Sequence, residues 1–90
     1  MKTILITGSN GSIGKDLCKT ILKNGYRVIA TDILNDLNDI EYSFIEADLI
    51  DIVKDEFKMQ NFGKRVRDIL GKDNLYAIIN NAALQINKNF

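Results

Sequence analysis

The stretch that decides the fold is Thr7-Gly8-Ser9-Asn10-Gly11-Ser12-Ile13-Gly14, near the start of this 90-residue chain. It follows an apolar run from Thr3 to Thr7 and precedes apolar residues at helical spacing, so it predicts a turn from a strand into a helix. In such a turn Gly8 can adopt a backbone conformation closed to other residues, Gly11 leaves room for a phosphate, and Gly14 lets the helix pack closely on the strand. Backbone N–H groups and the helix dipole then converge on a point that attracts phosphate.

The residues after this turn predict a helix and a second strand. Apolar residues form a stripe along one side of the predicted helix, and Gly25 is expected to end the helix. A buried strand rich in β-branched residues is predicted from Tyr26 to Thr31. Strand, turn, helix and strand form a βαβ unit with a right-handed crossover. The stripe consists of Ile13, Leu17, Cys18, Ile21 and Leu22.

The rest of the chain continues the alternation of strands and helices. A third strand is predicted from Tyr42 to Ala47, after a polar stretch from Asn35 to Asp39 that we interpret as a loop or a single helical turn. Apolar residues at helical spacing run from Met59 to Leu70 and predict a helix, whose first residue could be any from Asp51 to Asn61. The fourth strand is predicted from Leu75 to Ile79. The predicted fold class is therefore α/β, a Rossmann-type doubly wound parallel sheet in the order 3-2-1-4.

An acidic residue after the second strand indicates which nucleotide the turn would bind. Asp32 stands where a carboxylate accepts hydrogen bonds from the ribose hydroxyls of adenosine. Its charge would repel a 2′-phosphate, and neither Ile33 nor Asn10 supplies a cation, so NAD is favoured over NADP. Two alternatives stay open at this point: a plain strand-to-helix turn without a nucleotide, and Asp32 as an ordinary turn residue.

A second acidic residue follows the third strand. The carboxylate of Asp48 could accept a hydrogen bond from the adenine amino group while Leu49 covers a face of the base. The alternative is that Asp48 begins the next turn or helix, a position that aspartate favours.

Charge and composition limit the classes of molecule that this chain is expected to bind. Twelve basic and twelve acidic side chains give a formal net charge of zero, with no long block of either sign, so a small molecule is expected rather than nucleic acid or a membrane. The apolar run at the start is too short for a signal peptide or a membrane span, and we expect a cytoplasmic protein. With one cysteine, Cys18, and no histidine, no internal disulfide and no metal site are expected. Cys18 is interpreted as a small buried hydrophobic residue.

Four motifs together resemble the short-chain dehydrogenase/reductase family: the Thr7-Gly8 turn, the acid at Asp32, Asp48-Leu49, and Asn80-Asn81-Ala82-Ala83. The spacing Thr-Gly-x-x-Gly-x-x-Gly is similar to that of the extended and atypical members, since Ser12 stands where the standard form has glycine. The fourth motif is similar to the standard Asn-Asn-Ala-Gly, with alanine in place of glycine.

The resemblance implies an oxidoreductase that transfers hydride between NAD and an alcohol or carbonyl substrate, with a sugar or sugar nucleotide suggested by a likeness of Asn87-Lys88-Asn89 to atypical bacterial members. It implies that Asn81 braces the central strand and that Ala82 and Ala83 line the path beside the nicotinamide ribose. The predicted cofactor-binding residues are Gly8, Ser9, Asn10, Gly11, Ser12, Ile13, Gly14, Asp32, Ile33, Asp48, Leu49, Asn81, Ala82 and Ala83.

The family's chemistry needs a tyrosine with a lysine four residues later. Four residues after each tyrosine of this chain stands Ala30, Glu46 or Asn80 in place of a lysine. We assign all the tyrosines to predicted strands. Residues 1–90 are therefore expected to be one NAD-binding half-domain without catalytic residues, with the catalytic half after Phe90 and an unpaired fourth strand that favours homo-oligomers. Alternatives are a non-catalytic nucleotide-binding or sensor module and an inactive truncated fragment. The tyrosines are Tyr26, Tyr42 and Tyr76.

Overall fold

The computed structural model describes residues 2–33 and 42–81. These residues form four strands and three helices. In chain order they are β1 (Thr3–Thr7), α1 (Ser12–Lys23), β2 (Arg27–Asp32), β3 (Ser43–Glu46), α2 (Leu49–Val53), α3 (Glu56–Leu70) and β4 (Leu75–Asn80). The predicted loop from Asn35 to Asp39 lies outside the described residues.

The strands form one parallel sheet in the order β3-β2-β1-β4. The predicted fold class and strand order are thereby confirmed. Every residue of β1 is buried, because this strand lies between β2 and β4 and is covered on both faces. The chain crosses from β3 to β4 over β2 and β1, so the end of β1 lies next to the ends of β2 and β4, where a ligand crevice forms in sheets of this kind.

Alternate residues of the strands supply two apolar layers. On one face Ile4 and Ile6 of β1 pack with Cys18 of α1, and on the other Leu5 packs with Val66 and further residues of α3. The period of two along β1 divides its side chains between the helices on the two faces. Both helices are thus fixed to the strand that carries the glycine turn.

Two residues placed on the predicted apolar stripes are exposed. Ile13 is 60% exposed because the buried line of α1 runs through Gly14 and Cys18 and leaves Ile13 at its margin. Met59 is 47% exposed, since α3 is buried chiefly through Val66 and Leu70 at its other end.

Element boundaries also differ from the prediction in two places. The predicted single helix is preceded by a separate short helix, α2, because Asp48 and Asp55 each cap a helix start. Tyr26 and Tyr42 come just before β2 and β3, so of the tyrosines only Tyr76 lies within a strand. Among the described residues no helix combines the length and the apolar character that a membrane crossing needs.

Candidate functional site

The glycine turn leaves the start of α1 without a side-chain cap. Gly11 is the N-cap residue and supplies no side-chain cap, and the first turn of the helix also lacks an acidic residue. By contrast, α2 and α3 are capped by the carboxylates of Asp48 and Asp55. The positive end of a twelve-residue helix therefore opens on the crevice, an arrangement that suits a phosphate group.

Two glycines of the turn are required by its geometry. Gly8 has a φ of 68°, in the left-handed region that favours glycine. A Cβ atom on Gly14 would lie 2.1 Å from the carbonyl oxygen of Gly8 and 2.9 Å from the Cα of Ser9. The helix thus approaches the turn so closely that no side chain fits between them.

Neighbouring strands hold the turn in position. The buried side chain of Asn81 donates a hydrogen bond from Nδ2 to the carbonyl oxygen of Gly8, at 3.1 Å. The backbone N–H of Ser9 donates to the carbonyl oxygen of Thr31 at 3.3 Å. The end of β4 and the end of β2 are therefore both tied to the turn.

A further bond joins β1 to β4 at the same edge. Thr7 donates from Oγ1 to Oδ1 of Asn80, at 3.0 Å. No motif in the sequence singles out this pair. The strand order could have indicated it, because polar residues that end adjacent parallel strands meet at one edge of the sheet.

Asp32 lies against the glycine turn. Its Oδ2 accepts a hydrogen bond from the backbone N–H of Asn10 at 2.8 Å, and its Oδ1 accepts one from the N–H of Ile33 at 2.7 Å. The residue is half-buried at the end of β2. The acid and the turn that the sequence predicted as parts of one site are in direct contact.

Asp48 begins the next helix, which is the alternative that the sequence left open. Its Oδ1 accepts hydrogen bonds from the N–H groups of Ile50 and Asp51, at 3.0 and 3.4 Å. Its side chain is exposed, and Leu49 in the first turn of α2 is half-buried. Contact of Asp48 with adenine remains a prediction.

The other predicted residues are distributed around the turn. Ser9 is fully buried, and its Oγ has no hydrogen-bond partner among the described residues. Ser12 and Ile33 are exposed. Ala82 and Ala83 lie outside the described residues, as does the stretch from Asn87 to Asn89.

A groove that the sequence did not indicate lies beside Asp48, with a volume of about 190 Å³, where the end of β3 meets α2 and α3. On its rim Lys58 forms a salt bridge with Asp51, and this hydrogen-bonded carboxylate raises the pKa of Lys58. Since the cation already has a carboxylate partner, it offers little net charge to an anion. The groove is lined by Glu46, Ala47, Asp48, Asp51, Ile52, Lys58, Asn61, Phe62 and Arg65.

Cys18 has no exposed surface, and burial raises the pKa of its thiol to about 11. It therefore stays protonated near neutral pH and takes no part in the site.

Residues 2–90 match the family described as short chain dehydrogenase, and the chain belongs to that family. A relative from Campylobacter coli, the post-translational flagellin modification protein A, is 38% identical over 81 residues, which are 90% of this chain and 28% of the relative. The family is one of oxidoreductases, in agreement with the resemblance that the motifs indicated. Whether the chain is of the extended or atypical type stays a prediction.

Solved structures share the fold. The aldohexose dehydrogenase of Thermoplasma acidophilum in ligand-free form has a TM-score of 0.69 at 22% identity, with 89% of this chain and 29% of that chain covered. A Bacillus thuringiensis protein described as a 3-oxoacyl-reductase has a TM-score of 0.66 at 23% identity, covering 90% and 35%. The chain thus spans about a third or less of the length of the relatives it matches.

Proposed function

We propose that this chain is the NAD(H)-binding part of an oxidoreductase that interconverts an alcohol and a carbonyl group. The observation that carries the proposal is the carboxylate of Asp32 in contact with the glycine turn, 2.8 Å from the backbone nitrogen of Asn10. An uncapped helix start and an adjacent acid are what a dinucleotide needs, one for its pyrophosphate and the other for its adenosine ribose.

The pyrophosphate binds at the start of α1. The backbone N–H groups of the first helical turn, beginning at Ser12, receive no side-chain cap from Gly11 and would donate to the phosphate oxygens. Gly11 leaves the approach open. The exposed Ser12 and Ile13 would lie beside the phosphates. The hydroxyl of the buried Ser9 has no hydrogen-bond partner among the described residues and could form a hydrogen bond with a polar ligand at the turn.

The nucleotide is NAD rather than NADP. A 2′-phosphate would stand against the carboxylate of Asp32, and the neighbouring Asn10 and Ile33 carry no positive charge to offset the repulsion. Asp32 accepts from the ribose hydroxyls instead.

Residues on either side of the turn would hold the two ends of the dinucleotide. Asp48 and Leu49 contact adenine at the end of β3. Asn81 fixes the turn against β4, and the family resemblance implies that Ala82 and Ala83 would be next to the nicotinamide ribose. NAD would supply the hydride acceptor when bound, and the reaction would also need a group that moves the proton.

The substrate is a sugar or a sugar nucleotide. The support is the likeness of Asn87-Lys88-Asn89 to atypical bacterial members of the family that modify sugars. We further propose that the protein is cytoplasmic and forms homo-oligomers. Tyr76 and Ile78 of β4 are large apolar side chains exposed by 56% and 61%, a surface that a second copy or a further part of a longer protein would cover.

Calorimetric titration of the full-length protein with NAD tests the proposed binding site. Gly11 has φ −67° and ψ 162°, which any residue can adopt, so the Gly11→Val variant should fold and lose NAD binding because its side chain fills the phosphate site. Gly63→Ala is the matched control, since an added Cβ there meets no atom within 4 Å. Unchanged affinity in Gly11→Val would show that the nucleotide does not bind at this turn.

A further inference from the structure

We propose that Asp32 is also a positioning residue, whose carboxylate holds the glycine turn in its binding conformation before any nucleotide arrives. The part of this inference that concerns affinity rests on the proposed NAD site. The part that concerns the turn itself does not, because both contacts join groups of this chain only.

The carboxylate is fixed from two sides. The N–H of Ile33, next in the chain, donates to Oδ1 at 2.7 Å and sets the orientation of the carboxylate plane. Oδ2 then points at the turn and accepts from the N–H of Asn10 at 2.8 Å. Both bonds have a charged acceptor and short distances, which are the marks of the stronger hydrogen bonds in proteins.

The bond to Asn10 is shorter than the two backbone-carbonyl links from the turn to the ends of β2 and β4. Ser9 donates to the carbonyl of Thr31 at 3.3 Å, and Asn81 donates to the carbonyl of Gly8 at 3.1 Å. Both of those links hold the first half of the turn. Asp32 alone among these contacts reaches Asn10, which lies directly before the N-cap of α1.

The two roles of Asp32 are compatible. A carboxylate has about four acceptor positions, and the N–H groups of Asn10 and Ile33 occupy two of them. Ribose hydroxyls can therefore bind while the turn remains anchored. An ordered turn loses less conformational entropy on binding, so the anchor raises affinity for any nucleotide that uses the turn.

Two substitutions distinguish the effect of the negative charge of Asp32 from the effect of its hydrogen bond to the turn. Asp32→Ala removes the negative charge and the anchor, whereas Asp32→Asn removes the charge and keeps an acceptor oxygen. Loss of the charge alone should raise the affinity for NADP, and loss of the hydrogen bond to the turn should lower the affinity for both nucleotides.

Residue-resolved hydrogen exchange of the full-length protein without nucleotide tests the anchor. We expect the Asn10 amide to exchange roughly tenfold or more faster in Asp32→Ala than in the unaltered protein, and at an intermediate rate in Asp32→Asn. The Ile6 amide in β1 should be unchanged. Asp73→Ala is the matched control, because it removes an aspartate distant from the turn. Equal exchange at Asn10 in Asp32→Ala and the unaltered protein would overturn the proposal.

Titration with NAD and NADP tests the consequence. Asp32→Ala should bind NAD roughly tenfold or more weakly without gaining affinity for NADP, whereas Asp32→Asn should gain affinity for NADP. An equal gain for NADP in both variants would contradict the anchor. If the unaltered protein bound neither nucleotide, the proposed function would fail, while the exchange of the Asn10 amide would still decide the positioning role.

Discussion

The Cα of Gly14 lies so close to the carbonyl oxygen of Gly8 that an added Cβ would stand 2.1 Å from that oxygen. The obstructing atoms are backbone, so a side chain can enter only if α1 moves away from the turn. Gly14→Ala should therefore lower the free energy of unfolding of the full-length protein by about 2–3 kcal/mol. Denaturant unfolding monitored by circular dichroism measures it.

Gly63→Ala controls for the change of glycine to alanine itself. Gly63 lies within α3, and its added Cβ meets nothing within 4 Å, so this variant should be more stable by up to about 1 kcal/mol. The close approach of helix and turn would be contradicted if both variants shifted the free energy of unfolding in the same direction.

Asp48 and Asp55 offer a matched pair for testing the adenine contact. Each caps a helix through Oδ1, Asp48 with bonds of 3.0 and 3.4 Å and Asp55 with bonds of 2.9 and 3.3 Å. Substitution of either by alanine should lower the free energy of unfolding by about 1 kcal/mol. Only Asp48→Ala should also weaken NAD binding in calorimetry. Equal NAD affinities in the two variants would show that Asp48 does not contact the nucleotide.

Arg27 joins the start of β2 to the end of α3. Its Nη2 donates to the carbonyl oxygen of Ile69 at 2.6 Å, and its Nη1 lies 3.9 Å from Oδ2 of Asp73, whose side chain is half-exposed. Arg27→Met keeps most of the apolar stem and should lower the free energy of unfolding by about 1–2 kcal/mol. Asp73→Asn should change it by less than about 0.5 kcal/mol, because exposed ion pairs contribute little. A larger loss in Asp73→Asn than in Arg27→Met would assign the stabilisation to the ion pair instead.

The buried thiol of Cys18 makes stability depend on pH in the alkaline range. Burial raises its pKa from 9.0 to about 11, so the folded state retains a proton that the unfolded state releases. This contribution is complete below about pH 9 and falls as the pH rises toward 11. Cys18→Ala should have a flatter profile between these values in denaturant unfolding. Parallel profiles for the two proteins would exclude the thiol as the cause.

The fold could be predicted from the sequence largely because strand and helix periods differ. The buried run of β1, the glycine turn and the stripe of α1 follow one another between Thr3 and Lys23, and this order admits few topologies. The start of α3 could not be placed, since Asp48 and Asp55 are equally suited to turns and to helix caps. Ile13 was assigned to the buried stripe because periodicity alone does not locate the centre of a stripe.

The candidate site was predictable in its parts but not in its contacts. The sequence placed Asp32 and the turn at one edge of the sheet. It could not indicate that both oxygens of Asp32 accept backbone N–H groups, because this depends on the path of the chain at Asn10 and Ile33. The bond from Asn81 to Gly8 likewise depends on which side-chain atom faces the turn.

The most direct test of the central claim is the affinity of the full-length protein for NAD compared with NADP, measured by calorimetry in the same buffer. Because Asp32 places a carboxylate at the turn, 2.8 Å from Asn10, NAD should bind at least roughly tenfold more tightly than NADP. Equal affinities, or tighter binding of NADP, would contradict the account of Asp32 as the residue that selects the nucleotide.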